Sequence, residues 1–430
     1  MLASLLYPMD VFDSVLSYVL MSMLLLTVVF WLIVYFDTFD SEDNRKKLKN
    51  YPKVAVVIPT LFEGRFLRNS VESVIASNYP KDKYNIYIGL NERTDEITRK
   101  TAYSLKRKSV TVVDTHLNGK SRVMNYVIKN SLKDERFILS LDADSIIDKD
   151  LINKLVIPFF EKKKVGIVAP SMLVYKPKKP LEMIQKYEYI FNIALRKGLS
   201  LLSTLLVAPG PGSLINRRAL EKAGYYDENN ITEDMELTMR MLINGYRIEN
   251  RLDAISYTLA PESITKLMRQ RFRWYSGSFF NMIKYRKQLV VKRDDENIDR
   301  GVISLILISS GLSLLALPIL GYYIYLYLSK LIFLLSQVGL KFTLSYQSFI
   351  NFLFSFNELS FIGIITLIIA IYSMFYILKR IKRRISVVKD GFWSMIFILF
   401  YGYLLAIAWT AGFLNSLRLI NKANGTQGQG

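Results

Sequence analysis

Two carboxylates one residue apart, Asp142 and Asp144, are the side chains of this sequence that are best placed for chemistry. They follow an apolar run, residues 137–141, and such a run is typical of a buried strand. Carboxylates at the end of such a strand lie where open α/β sheets bind ligands. Since the chain has no cysteine and one histidine, they predict an all-oxygen site for Mg²⁺ or Mn²⁺. An acidic turn after a strand is the structural alternative.

The composition of the 430-residue chain indicates a membrane protein that meets anionic partners. Its formal net charge is +20, yet 51% of its residues are hydrophobic. Nucleic-acid-binding proteins are basic but rarely this apolar, so we expect no nucleic acid among the partners. A basic chain with long apolar runs is typical of a protein whose charge faces a cytoplasmic leaflet and anionic substrates. The lack of cysteine excludes disulfides and thiol chemistry.

The N-terminal part, residues 1–51, is predicted to be a transmembrane helix followed by a linker. Its apolar run, residues 11–36, is long enough to cross a bilayer. A signal peptide is the alternative, but no basic residue precedes the run, and the run exceeds the usual core of about 7–15 residues. Basic residues follow it, including Arg45 and Lys46. The positive-inside rule therefore places the next domain in the cytoplasm.

A second membrane region with about three spans is predicted for residues 292–420. Its uncharged apolar runs cover residues 301–327, 361–378 and 392–413. Residues 330–358 are mixed in character and predict an outer or interfacial segment, with a further span as the alternative. The basic cluster at residues 379–384 belongs on the cytoplasmic side. Residues 421–430 are polar and predict a disordered tail.

Between the membrane regions, residues 52–291 have the pattern of an α/β domain. Strands are predicted at residues 53–58, 84–90, 110–113 and 137–141. Helical stretches separate these strands, which indicates a Rossmann-like, mainly parallel sheet with covered faces. A later amphipathic stretch, residues 181–202, predicts a helix that lies either at the membrane interface or in the core.

Polar residues follow the first two predicted strands. Thr60 and Glu63 close the segment V-V-I-P-T-L-F-E, and Asn91 and Asp95 follow the second strand. Lys120 opens the third helix, where a lysine can pair with phosphate and the helix N-terminus favours anions. Taken singly, these segments have ordinary structural alternatives: a buried strand, a polar turn and an exposed lysine at a helix end.

Three segments of the second half also combine charge with turn or helix signals. A glycine-rich turn, residues 208–218, precedes a helix. The segment T-E-D-M-E-L-T-M-R begins at Thr232, which could simply cap a helix. Adjacent helical residues point about 100° apart, so only one of Glu233 and Asp234 should face a substrate. The segment Q-R-F-R-W, residues 270–274, could also be a basic helix on a membrane surface.

Together and in this order, these segments resemble a family-2 glycosyltransferase of the GT-A fold, above all hyaluronan, chitin and cellulose synthases. The resemblance covers residues 53–285 and the flanking membrane helices. It implies an α/β GT-A domain in the cytoplasm combined with α-helical transmembrane segments. One departure is Asn91, where the family commonly has an acid that accepts a hydrogen bond from the base. An Asn carbonyl can still accept that bond.

The resemblance also implies a role for each candidate residue. Asp234 corresponds to the catalytic base, and Glu233 and Trp274 to the acceptor side. Asp142 and Asp144 correspond to the metal ligands, with Mg²⁺ or Mn²⁺ as the ion. The nucleotide-sugar-binding residues that it implies are Thr60, Glu63, Asn91, Asp95, Lys120, Asp142, Gln270 and Arg273.

The function that follows is inverting, metal-dependent transfer of a sugar from a nucleotide-diphosphate sugar, a UDP-sugar above others, to a growing glycan. The protein is expected to lie in the lipid bilayer. Transfer of one sugar to a lipid acceptor, a polyprenyl phosphate or glycolipid, is the alternative enzyme activity. An inactive membrane scaffold is the alternative from another class. The acidic set of Asp142, Asp144 and Asp234 argues against the scaffold, which has no need of it.

Overall fold

The computed structural model describes residues 48, 50–290, 325, 329, 332, 333, 336, 358–381 and 386–427. Of these, residues 50–290, 377–381 and 386–427 belong to one compact unit, and residues 358–376 belong to another. The predicted span at residues 11–36 lies outside the described residues, as does nearly all of the span at 301–327 and of the segment at 330–358.

The first half of the compact unit alternates strands with helices, as the sequence predicts. The strands are β1 (Val54–Thr60), β2 (Tyr84–Leu90), β3 (Val110–Asp114) and β4 (Phe137–Ser140). The helices between them are α1 (Gly64–Ile75), α2 (Glu96–Ser104) and α3 (Lys120–Asn130). All four predicted strands are therefore confirmed, with bounds that differ by one or two residues.

The second half adds strands and helices that are less regular in length. The strands are β5 (Ile146–Ile147), β6 (Val165–Val174), β7 (Leu214–Asn216) and β8 (Arg247–Thr258). The helices are α4 (Leu151–Val156), α5 (Pro158–Glu161), α6 (Pro180–Leu201), α7 (Arg217–Ala223), α8 (Glu233–Ile243) and α9 (Ile264–Val290). The helix predicted at residues 181–202 is confirmed as α6.

In the described part of the chain, these strands form one sheet in the order β3-β2-β1-β4-β7-β6-β8-β5. The pairs β3–β2, β2–β1, β1–β4 and β6–β8 are parallel. The pairs β4–β7, β7–β6 and β8–β5 are antiparallel. The prediction of a mainly parallel sheet is confirmed. The short strand β7 lies between β4 and β6 and is antiparallel to both.

Both faces of the sheet are covered, because alternate residues of β1 point to opposite sides. Val54 and Val56 pack with Leu67 of α1 in one buried cluster. Ala55 and Val57 pack with Met124 of α3 in the other. A continuous apolar strand is the pattern that such a doubly covered position requires. The core thus covers β1 on both faces, between its neighbours β2 and β4.

The C-terminal part is helical. Its elements are α10 (Glu358–Arg380), α11 (Val387–Ile396), a π-helical turn (Phe397–Tyr401) and α12 (Gly402–Gln427). By length and composition, the continuous stretch Val387–Asn421 is the one helix of the described chain that could cross a membrane. α12 runs on to Gln427, so residues 421–427 of the tail for which the sequence predicts disorder are helical, and residues 428–430 lie outside the described residues. Extending an existing helix adds a backbone hydrogen bond with each residue, so polar residues can follow it.

The helix α12 packs against α9 within the same compact unit. The Phe279 ring lies 5.0 Å from the Trp409 ring and 5.3 Å from the Phe413 ring. Asn415 Nδ2 donates to Ser276 Oγ at 3.1 Å. The helix that carries Q-R-F-R-W is therefore held between the sheet domain and the apolar C-terminal helix.

Candidate active site

Three strand ends bring polar residues to one edge of the sheet. β1 lies between β2 and β4, and all three run in the same direction. Thr60 is the last residue of β1, Asn91 follows β2, and Asp142 and Asp144 follow β4. Since the carboxyl ends of parallel strands meet at the same edge, residues that are far apart in the sequence line one crevice.

The loop after β1 is organised by two of the candidate residues. Thr60 is buried, and its hydroxyl donates to the Gly89 carbonyl at 3.1 Å. The Glu63 carboxylate accepts from the backbone N–H groups of Leu61 and Phe62 at 2.7 and 2.9 Å. Both side chains thus fix the loop conformation at the sheet edge.

The loop after β2 is shaped in the same way. Asn91 is buried, and its Oδ1 accepts from the Arg93 N–H at 2.9 Å. The Asp95 carboxylate accepts from the Thr98 N–H at 3.2 Å and caps the N-terminus of α2. The Asn91 carbonyl is therefore already engaged in its own turn, and one lone pair of its oxygen is left for a base.

Lys120 joins three elements at the sheet edge. Its Nζ lies 2.8 Å from Asp142 Oδ1 and 3.1 Å from Glu233 Oε1. α3 begins at Lys120 because Gly119 takes a positive φ of 116° as its N-cap. Burial alone would lower the pKa of Lys120, but the Asp142 and Glu233 carboxylates raise it well above its usual range. The ammonium is therefore charged and ties the β4 end to the start of α8.

Glu233 and Asp234 stand side by side with opposite electrostatic surroundings. Burial would raise the pKa of Glu233, but the Lys120 ammonium, a backbone hydrogen bond and the Arg273 charge together outweigh burial and lower the pKa. Burial and the neighbouring Glu233 carboxylate raise the pKa of Asp234 to about 6. Asp234 Oδ2 accepts from the Gly210 N–H at 3.1 Å, and Oδ1 accepts from the Met235 N–H at 2.8 Å. Such a split between adjacent carboxylates is typical of acid–base sites.

Within the described residues, Asp144, the second acid after β4, forms no ion pair with a lysine or arginine, since Lys120 pairs with Asp142. Burial and the Asp142 carboxylate raise the pKa of Asp144 to about 6, and Glu63 adds to this. The Ser145 hydroxyl donates to Asp144 Oδ1 at 3.1 Å. Excess negative charge therefore accumulates at this end of the crevice.

These carboxylates fit a hard divalent ion that is shared with a phosphate. Within the described ranges, no three His, Cys, Asp or Glu side chains gather as a metal site. Mg²⁺ is commonly held by one or two carboxylates, with substrate phosphates completing the shell. Asp142 and Asp144 supply that number of oxygen donors, and the raised pKa of Asp144 is the response of a carboxylate whose charge lacks compensation.

The segment Q-R-F-R-W lies on α9. Arg273 Nη1 donates to the Ile231 carbonyl at 3.2 Å, just before α8 begins, and its charge contributes to lowering the pKa of Glu233. Gln270 Oε1 accepts from Arg271 Nη1 at 2.5 Å. The Trp274 ring faces the Arg271 guanidinium at 4.3 Å. The structure thus brings Arg273 to the carboxylates, whereas the contacts of Gln270 and Trp274 are to Arg271.

Thr232 precedes α8 as predicted, but its side chain does not cap the helix. Its hydroxyl instead accepts from Asn281 Nδ2 of α9 at 3.0 Å. On the other side, Asn125 of α3 accepts from the Tyr226 N–H and donates to the Tyr226 carbonyl at 3.0 and 2.9 Å. Two buried side-chain amides, those of Asn125 and Asn281, therefore fix the segment that leads from Tyr226 to Thr232, just before Glu233.

Sequence reasoning passed over four residues that the structure joins to this region. Gly210 lies in the glycine-rich turn, and a Cβ at this position would make ordinary contacts with Lys120 Nζ at 3.4 Å and Asp234 Oδ2 at 3.8 Å. Arg271 lies inside the segment Q-R-F-R-W, and Glu188 lies on the amphipathic helix α6. Both therefore belong to segments that the sequence analysis had already identified. Tyr401 had no local signal, because its contact depends on how distant helices pack.

A family model described as "Glycosyltransferase like family 2" matches residues 52–277. Curated relatives include the poly-beta-1,6-N-acetyl-D-glucosamine synthases of Staphylococcus aureus (strain COL), 26% identical over 279 residues, and of Staphylococcus epidermidis, 26% identical over 277 residues. In both matches the alignment covers 60% of this chain and 66% of the relative, which is just under two thirds of its length.

Among solved structures, a mannosyltransferase from Pyrobaculum calidifontis, in complex with GDP-Man and Mn²⁺, is similar with a TM-score of 0.55. The likeness covers 86% of this chain and 96% of that one, at 14% sequence identity. At this identity the likeness concerns the fold alone. It supports a GT-A-like domain built on the mainly parallel sheet.

Proposed function

This chain belongs to glycosyltransferase family 2, and we propose that it is an inverting, membrane-bound glycan synthase. The observation that carries the proposal is the cluster of Lys120, Asp142, Glu233 and Asp234, which joins the carboxyl end of β4 to the starts of α3 and α8. A cation and three carboxylates would then line the point at which a nucleotide-diphosphate sugar and an acceptor hydroxyl meet. N-acetylglucosamine is the first sugar to test, because the staphylococcal relatives are named for its polymer.

The donor diphosphate is the group that most needs positive charge. Asp142 and Asp144 would hold Mg²⁺ or Mn²⁺, which neutralises charge on the departing diphosphate. Lys120 and Arg273, whose charges both act on Glu233, would add fixed positive charge. Thr60, Glu63, Asn91, Asp95 and Gln270 form the proposed nucleotide side of the site.

The acceptor hydroxyl needs a base, and the local charges favour Asp234 over Glu233. Glu233 is neutralised by Lys120 at 3.1 Å, so its affinity for a proton is low. Asp234 has a pKa of about 6, which leaves it ionised at pH 7 and close to the value at which a base works best. Asp234 would therefore take the hydroxyl proton, while Glu233 helps to hold the acceptor. A single displacement then inverts the anomeric centre.

The membrane location is proposed from charge and surface character. In the stretch Val387–Asn421, 17% of the most apolar 18-residue segment is buried in the protein. Its exposed side chains include five large apolar ones: Val388, Phe392, Phe400, Ile407 and Leu414. An apolar surface of this kind is suited to lipid. If residues 1–51 and 292–420 are membrane regions, the positive-inside rule and the basic clusters favour a cytoplasmic domain 52–291.

The test is product analysis with the full-length protein in lipid nanodiscs. The protein is incubated with Mn²⁺ or Mg²⁺ and each of a panel of nucleotide sugars, with UDP-N-acetylglucosamine included, and the products are sized by mass spectrometry. A ladder of oligomers is expected. One sugar on an extracted lipid would instead establish the lipid acceptor, and a ladder that persists in Asp234→Asn would contradict the assignment of the base.

A further inference from the structure

The feature that the proposed chemistry leaves unused is a buried ion pair between α6 and α9. Arg271 is fully buried, and Glu188 is 4% exposed. Arg271 Nε donates to Glu188 Oε1 at 2.9 Å, and Nη2 donates to Oε2 at 2.6 Å. A buried pair of this kind adds little net stability, because both charges lose their hydration. Its two parallel bonds do fix the position of the guanidinium.

A third element reaches the same carboxylate. The Tyr401 hydroxyl donates to Glu188 Oε2 at 2.9 Å, and the side chain is 3% exposed. Tyr401 closes the π-helical turn between α11 and α12. A π-helical turn shifts the register of the residues after it and is frequent at functional sites. The apolar C-terminal helix is therefore bonded, through Glu188, to the guanidinium of Arg271.

The other side of the guanidinium holds Trp274. The Trp274 ring centroid lies 4.3 Å from Arg271 Cζ, three residues further along α9. Arg271 also donates to Gln270 Oε1 at 2.5 Å. Trp274 itself is only partly buried. One ring face is thus held by a cation with three fixed hydrogen bonds, while part of the ring stays accessible.

We propose that Glu188 and Tyr401 are positioning residues, which hold the Trp274 ring in place through Arg271 so that an acceptor sugar can rest on it. The inference rests on the proposed function and on the acceptor role that the family resemblance implies for Trp274. It makes the apolar C-terminal helix part of the acceptor site. A change at Tyr401, which lies on a different element from the carboxylate cluster, therefore alters acceptor binding rather than donor binding.

The first experiment is independent of activity. Trp31, Trp393 and Trp409 are replaced by Phe in the full-length protein in nanodiscs, which leaves Trp274 as the single fluorophore. Acrylamide quenching of Trp274 is expected to rise in Tyr401→Phe, which removes one hydroxyl and keeps the volume and the ion pair. Asp390→Asn is the matched control, because Asp390 joins α11 to α6 through Lys186 at 3.0 Å without touching Arg271. Equal quenching in the parent, Tyr401→Phe and the control would overturn the proposal.

The second experiment measures kinetics with UDP-N-acetylglucosamine and a β-1,6-linked N-acetylglucosamine tetramer. Tyr401→Phe is expected to raise the acceptor KM about threefold, and Glu188→Gln on the order of tenfold, with the donor KM unchanged. Because Glu188→Gln leaves a buried charge unpaired and can impair folding, Tyr401→Phe decides the outcome. In a Trp274→Ala background, Tyr401→Phe should have no further effect on the acceptor KM.

The acceptor role of Trp274 and the positioning role of Tyr401 can be refuted separately. If Trp274→Ala leaves the acceptor KM unchanged, the proposed role of Trp274 in acceptor binding is wrong, and quenching alone decides whether Tyr401 positions the ring. If Trp274→Ala raises the acceptor KM but Tyr401→Phe changes neither quenching nor KM, the acceptor role stands and the positioning role is wrong.

Discussion

Replacing Asp234 by Asn tests the base and its electrostatic setting together. Loss of a general base usually lowers the rate by about 10²–10⁴. Donor affinity should change little. Asp234 accepts hydrogen bonds from the backbone of Gly210 and Met235, and it is not one of the two acids after β4 that are proposed to hold the metal. We therefore expect nucleotide-sugar binding close to wild type and transfer that is slower by at least about a hundredfold.

The same substitution should stabilise the protein. A carboxyl whose pKa is about 6 instead of 3.8 is less stable in its charged form by roughly 3 kcal/mol at neutral pH. This is an upper value, because the side chain is partly exposed. Asn can accept only one of the two backbone hydrogen bonds, which costs about 1 kcal/mol. The net gain is on the order of 2 kcal/mol.

The pH dependence has a definite sign. Above pH 6 the wild-type carboxylate is charged and unfavourable, whereas below about pH 4 it is protonated in both the folded and unfolded states. The gain in Tm of Asp234→Asn should therefore be a few degrees at pH 8 and disappear near pH 4. In the wild type, kcat/KM should fall about tenfold for each pH unit below 6, because the base becomes protonated.

The assays are isothermal titration with UDP-sugar, initial rates across pH 4.5–8.5, and thermal unfolding at the same pH values, with Glu233→Gln as the control. Transfer by Asp234→Asn within tenfold of wild type would refute the assignment. If Glu233→Gln alone is inactive, the base is Glu233. A Tm that is lowered equally at every pH would refute the electrostatic argument while leaving the role of the base open.

Four further outcomes are expected. Asp144→Asn should abolish turnover and weaken nucleotide binding in Mn²⁺, and full activity in excess chelator would contradict a metal site. Arg383→Cys should react with impermeant reagents only after sealed cells are opened, because the basic cluster at residues 379–384 is predicted to be cytoplasmic. Labelling of intact cells would contradict this topology. Trp274→Ala should shorten the polymer, as read from product length on gels. Gly277→Ala should lower Tm and activity together, because its Cβ would lie 2.3 Å from Thr232 Oγ1.

The early part of the fold could be predicted because its signals are local. β1 to β4 are apolar runs bounded by polar turns, and helices of ordinary length separate them. The antiparallel strand β7 and the two-residue strand β5 have no such signal, since they are too short to show a period. β8 carries the charged residues Glu249 and Arg251 at buried positions, so its sequence lacks the apolar pattern of a strand. Glu249 is tolerated there because Lys162 lies 2.8 Å from its carboxylate.

Much of the candidate site was also predictable, because types and order of residues are properties of the sequence. Asp142, Asp144, Lys120, Glu233 and Asp234 are all recognisable in segments that resemble those of the family. Their roles as ligands or base remain proposals. The preference for Asp234 over Glu233 gained its physical reason only from the structure, since it depends on which carboxylate the Lys120 ammonium reaches.

The sequence by itself determined the α/β domain, the family and the set of acidic side chains, because periodicity, composition and short motifs act over a few residues. The tertiary structure alone decided the partners of those side chains. Glu188, Arg271 and Tyr401 are separated by up to 213 positions along the chain, yet they share one buried carboxylate. Whether such groups meet depends on how α6, α9 and the C-terminal helix pack, and no local pattern encodes that distance.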